Sequence, residues 1–451
     1  MSLWSSNLVR DDQEPSPEYR AALRWIWSFS AGAPADTTRR ASRMERFRAL
    51  LALLGSPQLQ FASVLVAGTK GKGSTAAFAH ACLQAGGLRV GRYTSPHLLN
   101  WRERTLLVDR FILPGEVTQL VGVLRPAVER LPPSLGVPMT FEIGTALSLL
   151  AFARGGVEAA VLEVGVGGRF DVTNVVEPIA SAITPVSLDH EGVLGTGLGE
   201  IAWHKAGVLR GGRTTVLGPQ PDEASATIAL EAVRTGALIE RVGRDWCWSM
   251  NADGITTVRG PDGKRRVSAR LPLLGRHQRD NAATAVGLGA AALAALGKAH
   301  ADPAALAVAL DRVEWPGRLQ RVIQTPPVWI DGAHNGASAL ALAQALDDEE
   351  TDDYTLVIGL TEGKDPVAIL RPLLPRATRV LVVRAQHDRA AAADEILRAC
   401  QALAPGVPVE QGGRVGDALD QAVAIGDAVV ATGSLFVAGE ALDWARGRAP
   451  D

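Results

Sequence analysis

The segment "VLVAGTKGKGSTAAFAH", residues 64–80, runs a β-branched apolar stretch into a turn with three glycines and two lysines, and then into an alanine-rich stretch. A buried parallel strand has this near-continuous apolar character, and the later composition favours a helix, so the segment predicts strand, loop and helix in succession. Gly68, Gly71 and Gly73 carry no Cβ and tolerate positive φ, so successive amides can turn inward around an anion where the helix dipole also favours negative charge. Lys72 would then reach the terminal phosphates of a nucleotide. The spacing departs from G-x-x-x-x-G-K-[ST], because Gly73 follows the lysine. On these residues alone, a glycine-rich βα turn with surface lysines stays open as the alternative.

At 451 residues the chain exceeds one ordinary core, and 47% hydrophobic with 21% charged residues is globular composition, so two domains are expected. A formal net charge of -2 gives no global field toward nucleic acid or an anionic membrane, so neither is expected as a partner and any phosphate affinity is local. Cys82, Cys247 and Cys400 are odd in number and widely spaced, which argues against a disulfide framework or a cysteine zinc site and for a reducing, cytoplasmic setting. The N-terminal "MSLWSSNLVRDDQEPSPEYR" has no apolar leader, and no run approaches the roughly 18 apolar residues of a membrane span.

Two amphipathic helices, "EYRAALRWIWSFS" and "RMERFRALLALLGS", are expected before the loop strand. Short buried strands follow at "VEAAVLEVG", "IASAITPVS" and "RTTVLG", separated by helical segments such as "TFEIGTALSLLAFARGG" and "GEIAWHKAGVL". Residues 242–271 change character, with "ADG" and "PDG" turns between short alternating runs, and predict a small antiparallel edge hairpin. From Pro316 the α/β pattern restarts with strands at "VWIDGAH", "YTLVIGL", "RVLVVRA", "VPVEQG" and "DAVVATGS". The domain boundary is placed between residues 311 and 312, giving domains over 1–311 and 312–451.

Glu163 closes a hydrophobic strand in "VLEVGVGGRFDVTN", and Asp189 and His190 follow another in "ITPVSLDHEGVLG". Ligands gather at the carboxyl ends of parallel strands, so these side chains are candidates to hold a metal on a nucleotide, with Ser95 as a further oxygen donor. A surface carboxylate and a hydrogen-bonded loop histidine are the plain alternatives. His97, Arg102 and Arg104 are candidates for an anionic substrate, although "RER" also has the form of a solvated charge run.

Taken in order, "VAGTKGKGST", "TSPHL" with "RER", "TFE", "EVGVGGRFDVTN", "DH", "IAWHKAGV", "GRHQRDNAATA", "PGRLQ", "DGAHN" and "GSLF" resemble the motifs of folylpolyglutamate synthase and dihydrofolate synthase, in the Mur ligase superfamily. The resemblance extends from about residue 19 to 442. It implies an α/β fold with an N-terminal P-loop ATPase domain on a mostly parallel sheet, a smaller C-terminal Rossmann-like domain, and ATP bound in the cleft between them. It further implies that Gly71, Lys72, Gly73 and Ser74 hold the ATP phosphates, and that Asn281, Arg318, Asp331 and His334 bind adenine, phosphate and ribose. By the same resemblance Ser95, Glu163 and His190 are magnesium ligands, Lys205 is an N6-carboxylysine, and Thr140, Glu142, Arg169 and Asp171 fall in the pterin-substrate region.

The implied activity is ATP-dependent, ADP-forming ligation of L-glutamate to a reduced folate or dihydropteroate, by a monomer, with Lys72, His190 and Lys205 in catalysis and His190 or Asp331 as candidate base. Lys70, His204, Val172 and Gly336 stand where Asn, Glu, Ala and Pro are common in the family. A Mur-like ligase for another small carboxylic acid and a noncatalytic nucleotide-binding protein are the competing readings.

Overall fold

The computed structural model describes residues 16–29, 37–263, 265–351 and 353–447. The segment expected to lack an apolar leader lies, through residue 15, outside them. Among the described residues no helix is long and apolar enough to cross a membrane.

The chain divides into two compact units, the first running to Pro272 and resuming over Arg279–Glu314, the second comprising Leu273–Gln278 and Trp315 onward. In the first, strands β1 (Ala62–Ala67), β2 (Val90–Tyr93), β3 (Thr105–Leu107), β4 (Arg110–Phe111), β5 (Ala159–Glu163), β6 (Ala180–Ile183), β7 (Thr214–Leu217) and β8 (Leu238–Arg241) form an eight-stranded sheet in the order β4-β3-β2-β5-β1-β6-β7-β8. The strands from β2 to β8 in this sheet pair in parallel, whereas β3 and β4 add antiparallel pairs at one edge.

β1 lies between β5 and β6, and Val64, Leu65, Val66 and Ala67 are fully buried, which is why the strand is an unbroken apolar run from residue 64 on. The helix Lys72–Ala85 packs against β2 and β5, and helix Thr140–Arg154 against β2 and β3. Right-handed strand–helix–strand crossovers of this kind bring the loops after β1, β2, β5 and β6 to one end of the sheet.

The expected edge hairpin over residues 242–271 is instead a separate three-stranded antiparallel sheet of β9 (Cys247–Met250), β10 (Thr256–Arg259) and β11 (Arg266–Ala269). The two turns were legible, but a third run, containing Trp248, pairs with β10 rather than with the main sheet.

The second unit has a six-stranded sheet in the order β12-β13-β17-β14-β15-β16, built from β12 (Gln320–Ile323), β13 (Val328–Ile330), β14 (Tyr354–Ile358), β15 (Ala377–Val383), β16 (Val409–Gly413) and β17 (Ala428–Thr432). Five of these are the strands expected after Pro316. β12, short and half-buried, pairs antiparallel at the edge and lacks the apolar run that marked the others. The fold is thus α/β, with a mostly parallel N-terminal sheet and a separate C-terminal sheet.

Candidate active site

After Ala67 the chain turns through Gly68, with φ of 139°, and Gly71, with φ of 83°, and Gly71 caps the helix Lys72–Ala85. Both glycines are required twice over. Their positive φ disfavours any side chain, and a Cβ would lie 1.8 Å from Thr184 Oγ1 at Gly68 and 2.2 Å from Asn281 Oδ1 at Gly71. Gly68→Ala is therefore expected to cost at least about 1–3 kcal/mol from backbone strain alone and to weaken nucleotide binding by displacing the loop. Urea unfolding with nucleotide titration checks this, and wild-type values for both would refute the tight-loop reading.

Three lysines surround this turn. Lys70 Nζ pairs with Asp189 Oδ2 at 2.9 Å, Lys72 Nζ donates to the Thr69 carbonyl at 3.2 Å, and Lys205 Nζ donates to the Gly68 carbonyl at 2.7 Å. Lys205 is buried, and desolvation followed by the Lys72 charge holds its ammonium well below the usual lysine range, with Asp189 opposing and Lys70 adding to the effect. Thr69 is tied to the loop after β6 by bonds to Ser187 O and Ser187 N, each 3.1 Å. Ser74 is buried in the first helical turn, and Thr75 Oγ1 donates to Asn281 Oδ1 at 3.4 Å, so Asn281 lies against the loop. Cationic side chains around an amide turn at a helix N-terminus suit a polyanion.

Ser95 and Glu163 also come together. They follow or end the adjacent strands β2 and β5, and Ser95 N donates to Glu163 Oε2 at 2.9 Å. Glu163 is buried beside Arg92, whose pKa burial lowers to about 10 against the favourable Glu163 charge. His190 is exposed and takes φ of 54° at the start of a short helix in the loop after β6. Hard oxygen donors from Ser95 and Glu163 fit magnesium, with the imidazole as the unusual member of the expected set. Among the described residues, no group of three His, Cys, Asp or Glu side chains is arranged to hold a metal.

The "RER" run is not solvated: Arg102, Glu103 and Arg104 are all buried. Glu103 accepts the Leu98, Leu99 and Asn100 amides at 2.7, 2.9 and 2.7 Å and so fixes the "TSPHLLN" loop that carries Ser95. Arg104 Nε donates to His97 Nδ1 at 2.8 Å, and burial with the Arg104 charge keeps His97 well below its ordinary pKa. The alternating charges of "RER" thus include a helix-capping carboxylate, Glu103 on the Asn100 amide.

A cavity of about 300 Å³ opens in the same unit, lined by Arg43, Phe141, Gly168, Phe170, Asp171 and His204 among others. Of the four residues expected at the pterin site, Asp171 lines it; Thr140, Glu142 and Arg169 do not. Thr140 Oγ1 donates to the Ile26 carbonyl at 3.2 Å. Glu142 is fully buried, accepting Arg46 Nε at 2.9 Å and Arg46 Nη2 at 2.7 Å. Arg169 turns away, its guanidinium 4.1 Å over the Trp203 ring and paired with Glu231 at 2.5 Å. Asp171 Oδ1 accepts Thr173 N and Oγ1 at 3.0 and 2.6 Å, and Oδ2 accepts Val166 N at 3.1 Å, which shapes the glycine-rich wall. The lining residues Arg43, Met139 and Phe170 were not singled out from sequence; the "TFE" and "GGRFD" motifs marked their neighbourhood and not which side chains turn inward.

In the second unit Arg318, Asp331 and His334 gather at the carboxyl end of β13. Asp331 accepts Leu319 N at 2.8 Å and Ala333 N at 2.7 Å. Burial raises its pKa against the opposing influence of Arg318 and the two amides. His334 Nδ1 lies 2.8 Å from the Gly332 carbonyl, and a Cβ on Gly332 would meet Arg318 Nη1 at 2.8 Å, so the three residues share one tight corner.

Residues 319–444 match the family described as dihydrofolate synthetase, C-terminal domain. A dihydrofolate synthase/folylpolyglutamate synthase from Mycobacterium tuberculosis is 33% identical over 442 residues, covering 90% of each chain. The chain belongs to the folylpolyglutamate synthase/dihydrofolate synthase family. A structure of a Mycobacterium tuberculosis folylpolyglutamate synthase complexed with ADP matches with a TM-score of 0.86 at 30% identity, covering 96% of this chain and 99% of that one. A probable bifunctional folylpolyglutamate synthase/dihydropteroate synthase from Halobacterium salinarum is 36% identical over 87% of this chain but only 48% of its own length. The chain therefore spans about half the length of that member of the folylpolyglutamate synthase family.

Proposed function

We propose that this chain is an ATP-dependent, ADP-forming ligase that joins L-glutamate to the carboxylate of a reduced folate or dihydropteroate. The observation that carries the proposal is the amide turn at Gly68–Gly71 ringed by Lys70, Lys72 and Lys205, in the same unit as an aromatic cavity holding Asp171. The names and ADP complex of the relatives support it.

The substrate carboxylate attacks the γ-phosphoryl group, forming an acyl phosphate and releasing ADP. The glutamate amine then attacks the acyl carbon, and inorganic phosphate leaves. Phosphoryl transfer depends on alignment and charge stabilisation, for which Gly71, Lys72, Gly73, Ser74 and the loop amides are proposed, with Asn281 buttressing the turn. Ser95, Glu163 and His190 would hold magnesium, which neutralises phosphate charge when bound. Arg318, Asp331 and His334 are proposed to contact the nucleotide. His190 and Asp331 are the candidates to accept the glutamate proton, and burial raises the Asp331 pKa. Lys205 is proposed to carry an N6-carboxyl group. Cys82, Cys247 and Cys400 are free, in keeping with the cytoplasmic setting proposed for this reaction, and the chain is proposed to act as a monomer.

The test is ADP release measured with glutamate and each pteridine in turn, with product masses. ADP release requiring both substrates and a product heavier by one glutamyl residue is expected. Ligation only to small acids lacking a pteridine would favour a Mur-like ligase instead, and ADP release indifferent to glutamate would remove the proposal.

A further inference from the structure

We propose that Arg43 reads the carbonyl edge of the pteridine ring and so sets which pteridines enter the cavity; the inference rests on the folate reading above. Arg43 is the one Arg or Lys among the described residues lining the cavity. It stands on the helix Thr37–Leu53, with its guanidinium carbon 5.9 Å from the centroid of the Phe141 ring. Its Nε is buried without a hydrogen-bond partner and lies 3.8 Å from Glu142 Oε2. That carboxylate is already taken: Arg46 donates to both of its oxygens, and Met139 N to Oε2 at 2.9 Å. Glu142 thus holds Arg43 by charge without consuming its donors.

A guanidinium donates and never accepts. Asp171, an acceptor when ionised, lines the same cavity, as do the aromatic rings of Phe141 and Phe170. A donor-only group and an acceptor carboxylate around aromatic walls complement a flat bicycle with a carbonyl edge and an aminopyrimidine N–H edge. They oppose one in which an amino group replaces the carbonyl, because that amino group would meet donors only.

Pteridine fluorescence titration and KM measurements on the full chain test this, with the oxo substrate and its diamino analogue. The wild type is expected to prefer the oxo form by about 10-fold or more, the scale of one charged hydrogen bond. Arg43→Met should weaken the oxo form by a similar factor while leaving the diamino form and the KM for ATP little changed. Arg43→Gln, which can both donate and accept, should likewise bind the two forms about equally, and more tightly than Arg43→Met does. Equal weakening of both pteridines in Arg43→Met would assign Arg43 a merely structural part and overturn the proposal, as would no change in either. A wild type that neither binds nor ligates any pteridine would bring down the folate reading itself, whereas one that ligates normally with unaltered selectivity in both variants sinks Arg43 alone.

Discussion

Lys72→Ala should lose turnover by a factor of about 10²–10³ or more, the scale seen when one preorganised charge stabiliser is removed from a transition state. The side chain is half-buried and its hydrogen bond is to the Thr69 carbonyl within its own loop, so nothing in the core depends on it. The fold, followed by thermal unfolding, should therefore be retained while nucleotide affinity falls. Lys72→Arg keeps the charge but spreads it over a planar fork too large for a turn in which Asn281 leaves no room for a Cβ at Gly71, so it should restore little. Turnover at the wild-type rate in a folded Lys72→Ala protein would remove the phosphate assignment and leave the ordinary glycine-rich turn.

The strand, glycine turn and helix over residues 64–80 were legible in sequence because backbone conformation decides them. Only glycine tolerates the φ at Gly68 and Gly71, and the flanking apolar and alanine-rich runs could hardly be other than a buried strand and a helix. Ser95 and Glu163, read from sequence as oxygen donors for one metal, lie together because strands β2 and β5 are neighbours, an order that local pattern does not encode.

What escaped was the direction of individual side chains. Arg43, Arg46 and Arg48 lie within one stretch of a helix, and nothing in their spacing tells that Arg46 is buried on Glu142, Arg43 lines a cavity and Arg48 is exposed. Arg169 and Asp171 are two residues apart in a loop, yet one stacks on Trp203 and the other turns into the cavity, because the loop is pinned where Gly207 approaches Arg169 too closely for a Cβ. Such choices belong to tertiary packing, and local pattern does not encode them.

Lys205→Ala should lose most activity, and a preparation stripped of dissolved CO₂ should lose it as well and regain it when bicarbonate is added. The reason is charge. Lys205 is buried with its Nζ 2.7 Å from the Gly68 carbonyl, and the Lys72 and Lys70 charges disfavour its ammonium. Those effects lower its pKa and leave more of the neutral amine that can attack CO₂, forming an N–C bond, releasing a proton and turning a cation into a carboxylate. The product would sit among lysines that stabilise a negative charge. Because only the neutral amine reacts and a proton is released, occupancy at fixed dissolved CO₂ should rise with pH, and activity should fall first on the acid side. Short-chain carboxylic acids should partly rescue Lys205→Ala, since they return the missing carboxylate, whereas alkylamines should not. Full activity in CO₂-depleted buffer, with no labelled carbamate detected after exposure to isotopically labelled CO₂, would show that Lys205 works as an unmodified amine.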